Sequence, residues 1–124
     1  MTDLLRSFVT AVGRLKEALH AEEGPLTKDA AIQRFEFSFE LAWKALQKEL
    51  RKRGIDRASP REVLRAAWSE GLLTDEGAWI AMLEDRNLTS HTYDEALAKA
   101  VFARLPAHAE ALSRLARTLG SSLA

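Results

Sequence analysis

Ile32, Phe35, Phe39, Trp43, Leu46 and Leu50 recur at steps of three and four. A strand points successive side chains to opposite faces, so only a helix gathers that spacing into one stripe. The same period runs through Leu4, Leu5, Phe8, Val12, Leu15 and Leu19. No segment alternates with a period of two. The pattern predicts an all-α fold, an antiparallel bundle of five to six helices joined by short loops. Phe37 and Leu41 lie off the main stripe, so the second helix carries a wide apolar surface, suited to a central helix or an oligomer contact.

Punctuation residues set the expected boundaries. A first helix over 3–20 is followed by HAEEGPLTKDAA, with Gly24 and Pro25 as breakers. A second helix is expected over 29–53, closed by Gly54 after a Lys/Arg-rich last turn that suits the helix dipole. In SPRE, Ser59 is an N-cap, Pro60 fits the first position and Glu62 completes a capping box. That third helix reaches about Glu70 before Gly71. Thr74 is read as the cap of a fourth helix, with Trp79, Met82 and Leu83 as its apolar face. Thr92 and Glu95 form a second capping-box pattern, predicting a helix from Tyr93 to about Arg104. Pro106 then kinks it or opens a last helix reaching Leu119, and the GSSLA tail is expected to fray. The 124 residues read as one domain, 1–124, with an ordered core over about 3–119.

Composition narrows the chemistry. The absence of cysteine removes disulfides, thiolate zinc sites and cysteine nucleophiles, and fits a cytoplasmic setting. The N-terminal MTDLLRSFVTAVGRLK is amphipathic rather than continuously apolar, so neither a signal peptide nor a membrane span is expected. Net charge is zero, but unevenly spread. Residues 44–65 hold eight Lys/Arg against three acids, and residues 66–95 hold seven acids against Arg86 alone. Two solvated faces attracting each other account for this split. A phosphate-attracting patch at Lys48, Arg51, Lys52, Arg53 and Arg57 would also account for it.

Few residues offer catalytic chemistry. Glu17 and His20 form a single E-x-x-H, and a di-iron bundle needs two copies with further carboxylates, so no metal is expected. His108 has no partner at a recognisable spacing. No glycine-rich phosphate loop occurs, and no cofactor is expected. Glu36 and Glu40 lie one turn apart and read more simply as ion-pair partners of Lys44 and its neighbours.

The stretch RNLTSHTYDE, residues 86–95, stands apart. On one continuous helix Arg86 and His91 would diverge by about 140°. A break between them, here assigned to the Thr92 cap, can bring both side chains to one point. Arg supplies a permanent forked cation suited to phosphate, and His a side chain that titrates near neutrality. Together they are a minimum set for metal-free RNA cleavage, although an Arg and a His at a helix junction can also be purely structural.

R-N-x-x-x-H-x-Y, at Arg86, Asn87, His91 and Tyr93, resembles the signature of HEPN-domain proteins. The closer likeness is to the HepT-like subgroup, also called nucleotidyltransferase substrate-binding proteins. QRFEFSFELAWKALQ (33–47), SPREVLRAAWSEGLL (59–73) and W-x-x-M-L-E-D-R-N (79–87) are similar to further blocks of that family, and the likeness spans about residues 3–118. The resemblance implies an all-α homodimer with Arg and His facing each other across a shared cleft. It implies a metal-independent endoribonuclease, the toxin of a toxin–antitoxin pair whose antitoxin is a cognate small nucleotidyltransferase. Carried over, Arg86 and His91 are catalytic, Asn87 supports them, and Tyr93 accepts AMP from the partner. The family's older name implies the alternative, a non-catalytic substrate-binding or scaffold subunit of a nucleotidyltransferase.

Overall fold

The computed structural model describes residues 2–122, and every regular element among them is helical. The elements are α1 (Asp3–His20), α2 (Pro25–Lys52), α3 (Pro60–Ser69), α4 (Glu76–Leu88), a 3₁₀ turn (Thr89–His91) and α5 (Glu95–Ser122). The expected all-α bundle is therefore present, with five α-helices.

α1 starts where Thr2 Oγ1 accepts the Leu5 N–H at 3.2 Å. It buries Leu5, Phe8, Val12 and Leu15 of the stripe anticipated from spacing, together with Ala18, whereas Leu4 and Leu19 are partly buried. α2 is the central element, packed against α1, α3, α4 and α5. It begins at Pro25 rather than near Asp29. Proline lacks the N–H that a helix's first turn leaves unpaired, so Pro25 starts the helix instead of blocking it. Ile32, Phe35, Phe39, Leu46 and Leu50 are buried and Trp43 and Leu41 are partly buried, whereas Phe37 remains 56% exposed.

Gly54 and Gly71 end α2 and α3 in the same way. Each adopts positive φ, 80° and 78°. The following residues, Ile55 and Leu72, donate back to Leu50 and Ala67 carbonyls at 2.9 Å. This left-handed closure satisfies terminal carbonyls at a conformation only glycine adopts without strain. Ser59 caps α3 as expected, accepting the Glu62 N–H at 3.3 Å.

α4 is capped by Asp75, not Thr74; its Oδ1 accepts the Ala78 N–H at 3.1 Å. Trp79, Met82 and Leu83 are buried, as anticipated, and Asp85 is buried with them. α5 begins at Glu95, two residues later than expected, and runs through Pro106 to Ser122 without a second start. The missing N–H of Pro106 removes the ladder bond to the Phe102 carbonyl, yet flanking burial of Val101, Leu105 and Ala109 keeps the helix continuous. The last two residues of the GSSLA tail lie outside the described residues. No helix among the described residues is long and apolar enough to cross a membrane.

Candidate functional site

The end of α4 explains why RNLTSHTYDE leaves the helix. Thr89 Oγ1 donates to the Arg86 carbonyl at 2.7 Å, Ser90 Oγ to Asn87 at 3.5 Å and Thr92 Oγ1 to Thr89 at 3.0 Å. Three hydroxyl donors in close succession thus supply the partners that the last carbonyls of a helix lack. The chain tightens into the 3₁₀ turn and rests against α2 and α5. Asp94 then opens α5, its Oδ1 accepting the Ala96 and Leu97 N–H groups at 3.0 and 3.2 Å. The break expected between Arg86 and His91 exists, but Thr92 closes the outgoing turn and Asp94 is the cap. Tyr93 accordingly lies in the turn before α5, not at its first position.

Arg86, on the last turn of α4, points to α2. Its Nη1 lies 3.5 Å from Glu40 Oε2, and its guanidinium carbon is 5.5 Å from the centroid of the Phe39 ring. A half-buried ion pair over an aromatic face orients the planar fork. Glu40 also receives Lys44 Nζ at 3.7 Å, the ion pair anticipated from spacing. The Nε of Arg86 is buried with no hydrogen-bond partner among the described residues.

His91 is exposed beyond the break. Its ring meets Tyr93 edge-on, centroids 6.2 Å apart at 71°. Tyr93 is 85% exposed, so its hydroxyl is open to solvent. An open groove runs from Tyr93, Thr92 and Thr89 to Gln33 and Glu36 on α2. Asn87 is exposed, and its side chain makes no hydrogen bond among the described residues. No hydrogen bond joins Arg86 to His91 within this chain; the two lie on opposite sides of the break.

Sequence reasoning missed the strongest polar cluster. Asp85, 3% exposed, receives Arg104 Nε at 2.8 Å and Nη2 at 2.7 Å. His108 Nε2 lies 2.7 Å from Oδ2 of the same carboxylate. Burial pushes the Asp85 carboxyl up, but the hydrogen bonds and charges of Arg104 and His108 outweigh it and hold the group below its ordinary value. The same contact raises Arg104 further. His108 also stacks on Phe35, centroids 5.2 Å apart, and Phe35 touches Phe39 beneath Arg86. A signal existed: Asp85 continues the buried Trp79–Met82 stripe, and Arg104 and His108 lie one turn apart on α5.

The expected basic segment is divided. Arg51 pairs with Asp56 at 3.2 Å, Lys52 with Glu49 at 3.8 Å, and Arg53 with Glu49 and Glu70 at 3.7 and 3.5 Å. Lys48 and Arg57 make no ion pair among the described residues. Glu17 pairs with Arg34 at 3.8 Å. No group of three or more potential metal ligands is gathered among the described residues.

Residues 3–121 match the family model described as nucleotidyltransferase substrate-binding protein like. A Haemophilus influenzae protein described as "probable ribonuclease HepT" is 39% identical over 80 residues, 60% of this chain and 55% of that relative. This chain thus aligns with about half of that relative's length. A solved Thermus thermophilus protein is 46% identical, with TM-score 0.85, over 90% of this chain and 98% of that one. A Haemophilus influenzae structure, described as the fold of a substrate-binding domain of a nucleotidyltransferase, is 28% identical with TM-score 0.82, covering 93% and 98%. At 15% identity and TM-score 0.79, over 98% and 99% of the two chains, the fold is shared with a Shewanella oneidensis HEPN toxin solved tri-AMPylated with its MNT antitoxin. With a match over nearly its whole length and the R-N-x-x-x-H-x-Y signature at the α4–α5 junction, this chain belongs to the HepT-like, nucleotidyltransferase substrate-binding family of HEPN proteins.

Proposed function

We propose that this protein is a metal-independent endoribonuclease, the toxin of a pair controlled by a small nucleotidyltransferase. The observation that carries it is the α4 end itself. An Arg held by Glu40 and Phe39 stands before a hydroxyl-capped break, and an exposed His follows directly after it. The relative described as a ribonuclease, and the fold shared with a HEPN toxin bound to its antitoxin, support the same reading.

In this reading a homodimer brings two copies of the junction to one cleft. His91 takes the proton from an RNA 2′-hydroxyl, and the freed oxygen attacks the adjacent phosphorus. The bond from phosphorus to the 5′-oxygen breaks, and the second imidazole, in its protonated form, protonates that leaving oxygen. Arg86 stabilises the charge that accumulates on the non-bridging oxygens, and Asn87 orients the phosphate. Tyr93 is the control point: its oxygen attacks the α-phosphorus of ATP on the partner, pyrophosphate leaves, and the hydroxyl proton is lost. Asp94 already occupies the Ala96 and Leu97 N–H groups. The added phosphate therefore acts by crowding the cleft and repelling RNA phosphates rather than by binding the helix end.

The test is cleavage of RNA by the purified protein, beside His91→Ala and Arg86→Lys. Loss of about 100-fold or more in each, with unchanged melting temperature, is the expected result. The Haemophilus influenzae structure described as a nucleotidyltransferase's substrate-binding domain favours a second reading, a non-catalytic subunit. Absence of cleavage by the wild-type protein, with retained binding to a nucleotidyltransferase, would establish that one instead.

A further inference from the structure

The ion pairs within residues 48–56 leave a different set of cations unpaired. Arg57, Arg61 and Arg65 form no ion pair among the described residues; Arg57 donates only to the backbone carbonyl of Asp56, at 2.9 Å. At about 100° per residue, Arg61, Arg65 and Trp68 fall within roughly 60° on one stripe of α3. Val63, Leu64 and Ala67 turn to the core on the other side. Trp68 is 43% exposed, whereas Trp79 is buried. A shallow groove joins Arg57 to Arg65 past Ala66 and Ser69, with Glu62 the one carboxylate in it.

An indole half in water costs hydrophobic free energy, and three guanidinium groups with no ion pair among the described residues, and Glu62 as the one carboxylate in the groove, carry a net positive charge. One class of ligand relieves both. A single-stranded nucleic acid offers a phosphate to each cation and a base face to the indole. Duplex bases are already stacked and offer no free face. We infer that the surface made by Arg61, Arg65 and Trp68 of α3 with Arg57 just before it is a subsite for single-stranded RNA, with one base stacked on Trp68 and flanking phosphates on the arginines. The choice of RNA rests on the ribonuclease reading above; the chemistry of the surface does not.

Binding of a fluorescein-labelled, unstructured RNA of about 12 nucleotides to full-length His91→Ala protein tests this, because the strand then stays intact. Trp68→Leu is expected to weaken binding about tenfold at every salt concentration. Arg61→Glu with Arg65→Glu is expected to weaken it at least tenfold and to flatten the dependence on salt. Lys52→Glu with Arg53→Glu, which removes cations already paired, is expected to do less. Melting temperature and sedimentation of each variant report fold and assembly. Unchanged affinity in both α3 variants overturns the subsite, as does failure of the His91→Ala protein to bind the strand. Loss that follows only a change in oligomeric mass would make Trp68 a contact between copies. Loss of nucleotidyltransferase binding with RNA affinity intact would make the surface a protein dock. Cleavage by the wild-type protein is read separately, so RNA binding without cleavage removes the ribonuclease reading and leaves the subsite standing.

Discussion

Asp85 and Arg86 are adjacent and do opposite things. Asp85 turns inward to Arg104 and His108 on α5, and Arg86 turns to Glu40 and Phe39 on α2. One turn of α4 is therefore held from two sides, and the inward anchor fixes the backbone that aims the outward guanidinium. Asp85→Ala leaves Arg104 and His108 without their shared acceptor, at an expected cost of about 2–4 kcal/mol. Urea unfolding at neutral pH measures it; a loss below about 0.5 kcal/mol would show that the cluster anchors nothing. The pH dependence has a definite sign. The folded carboxyl titrates below its unfolded value, so its contribution is complete above the ordinary carboxylate range. It is lost as pH falls through the folded value. Wild type should lose stability more steeply than Asp85→Ala in acid, and their stabilities should converge there.

Among the elements, the junction between α4 and α5 is the one on which the proposed reaction depends, and Asp94 sets its geometry. Asp94 Oδ1 accepts two first-turn N–H groups of α5, while its own N–H donates to the His91 carbonyl at 3.1 Å. Asp94→Ala is expected to cost about 1 kcal/mol. Because the lost carboxylate is their acceptor, the substitution should also raise hydrogen exchange at Ala96 and Leu97. Unaltered exchange there would assign the cap to another group. The junction also marks where sequence reading is sharp and where it blurs. Apolar stripes such as Phe8–Val12–Leu15 are legible because helical burial repeats over many residues. Caps are decided by one oxygen, and neighbouring candidates compete: Thr74 with Asp75, Thr92 with Asp94. In both pairs the carboxylate, not the threonine, holds the helix N–H groups. The Asp85 cluster escaped because its partners lie 19 and 23 residues away: local spacing marks Asp85 as inward-facing and puts Arg104 and His108 on one face, but does not join the two. The family signature placed Arg86, His91 and Tyr93 at one junction, but not the Glu40 and Phe39 contacts that orient Arg86.

Over the whole molecule the charges are sorted by use. Most of the excess cations of residues 44–53 meet acids locally or through Arg53–Glu70, and in the acidic half Asp85 meets Arg104 while its one base, Arg86, reaches Glu40 on α2. Among the surfaces left open are α3's arginine stripe and the exposed His91–Tyr93 pair. The proposed modification suits Tyr93 because it carries little of the fold: it is 85% exposed, and its one ring contact among the described residues is His91. Tyr93→Phe should therefore change unfolding free energy by less than about 0.5 kcal/mol. It should also leave RNA cleavage intact, since the hydroxyl has no part in the proposed reaction. With a cognate nucleotidyltransferase and ATP, wild type should gain the mass of AMP and lose cleavage, while Tyr93→Phe gains no mass and continues to cut. Mass gained equally by both proteins would move the acceptor to another residue. Mass gained at Tyr93 without loss of cleavage would mean that the added phosphate does not reach the cleft.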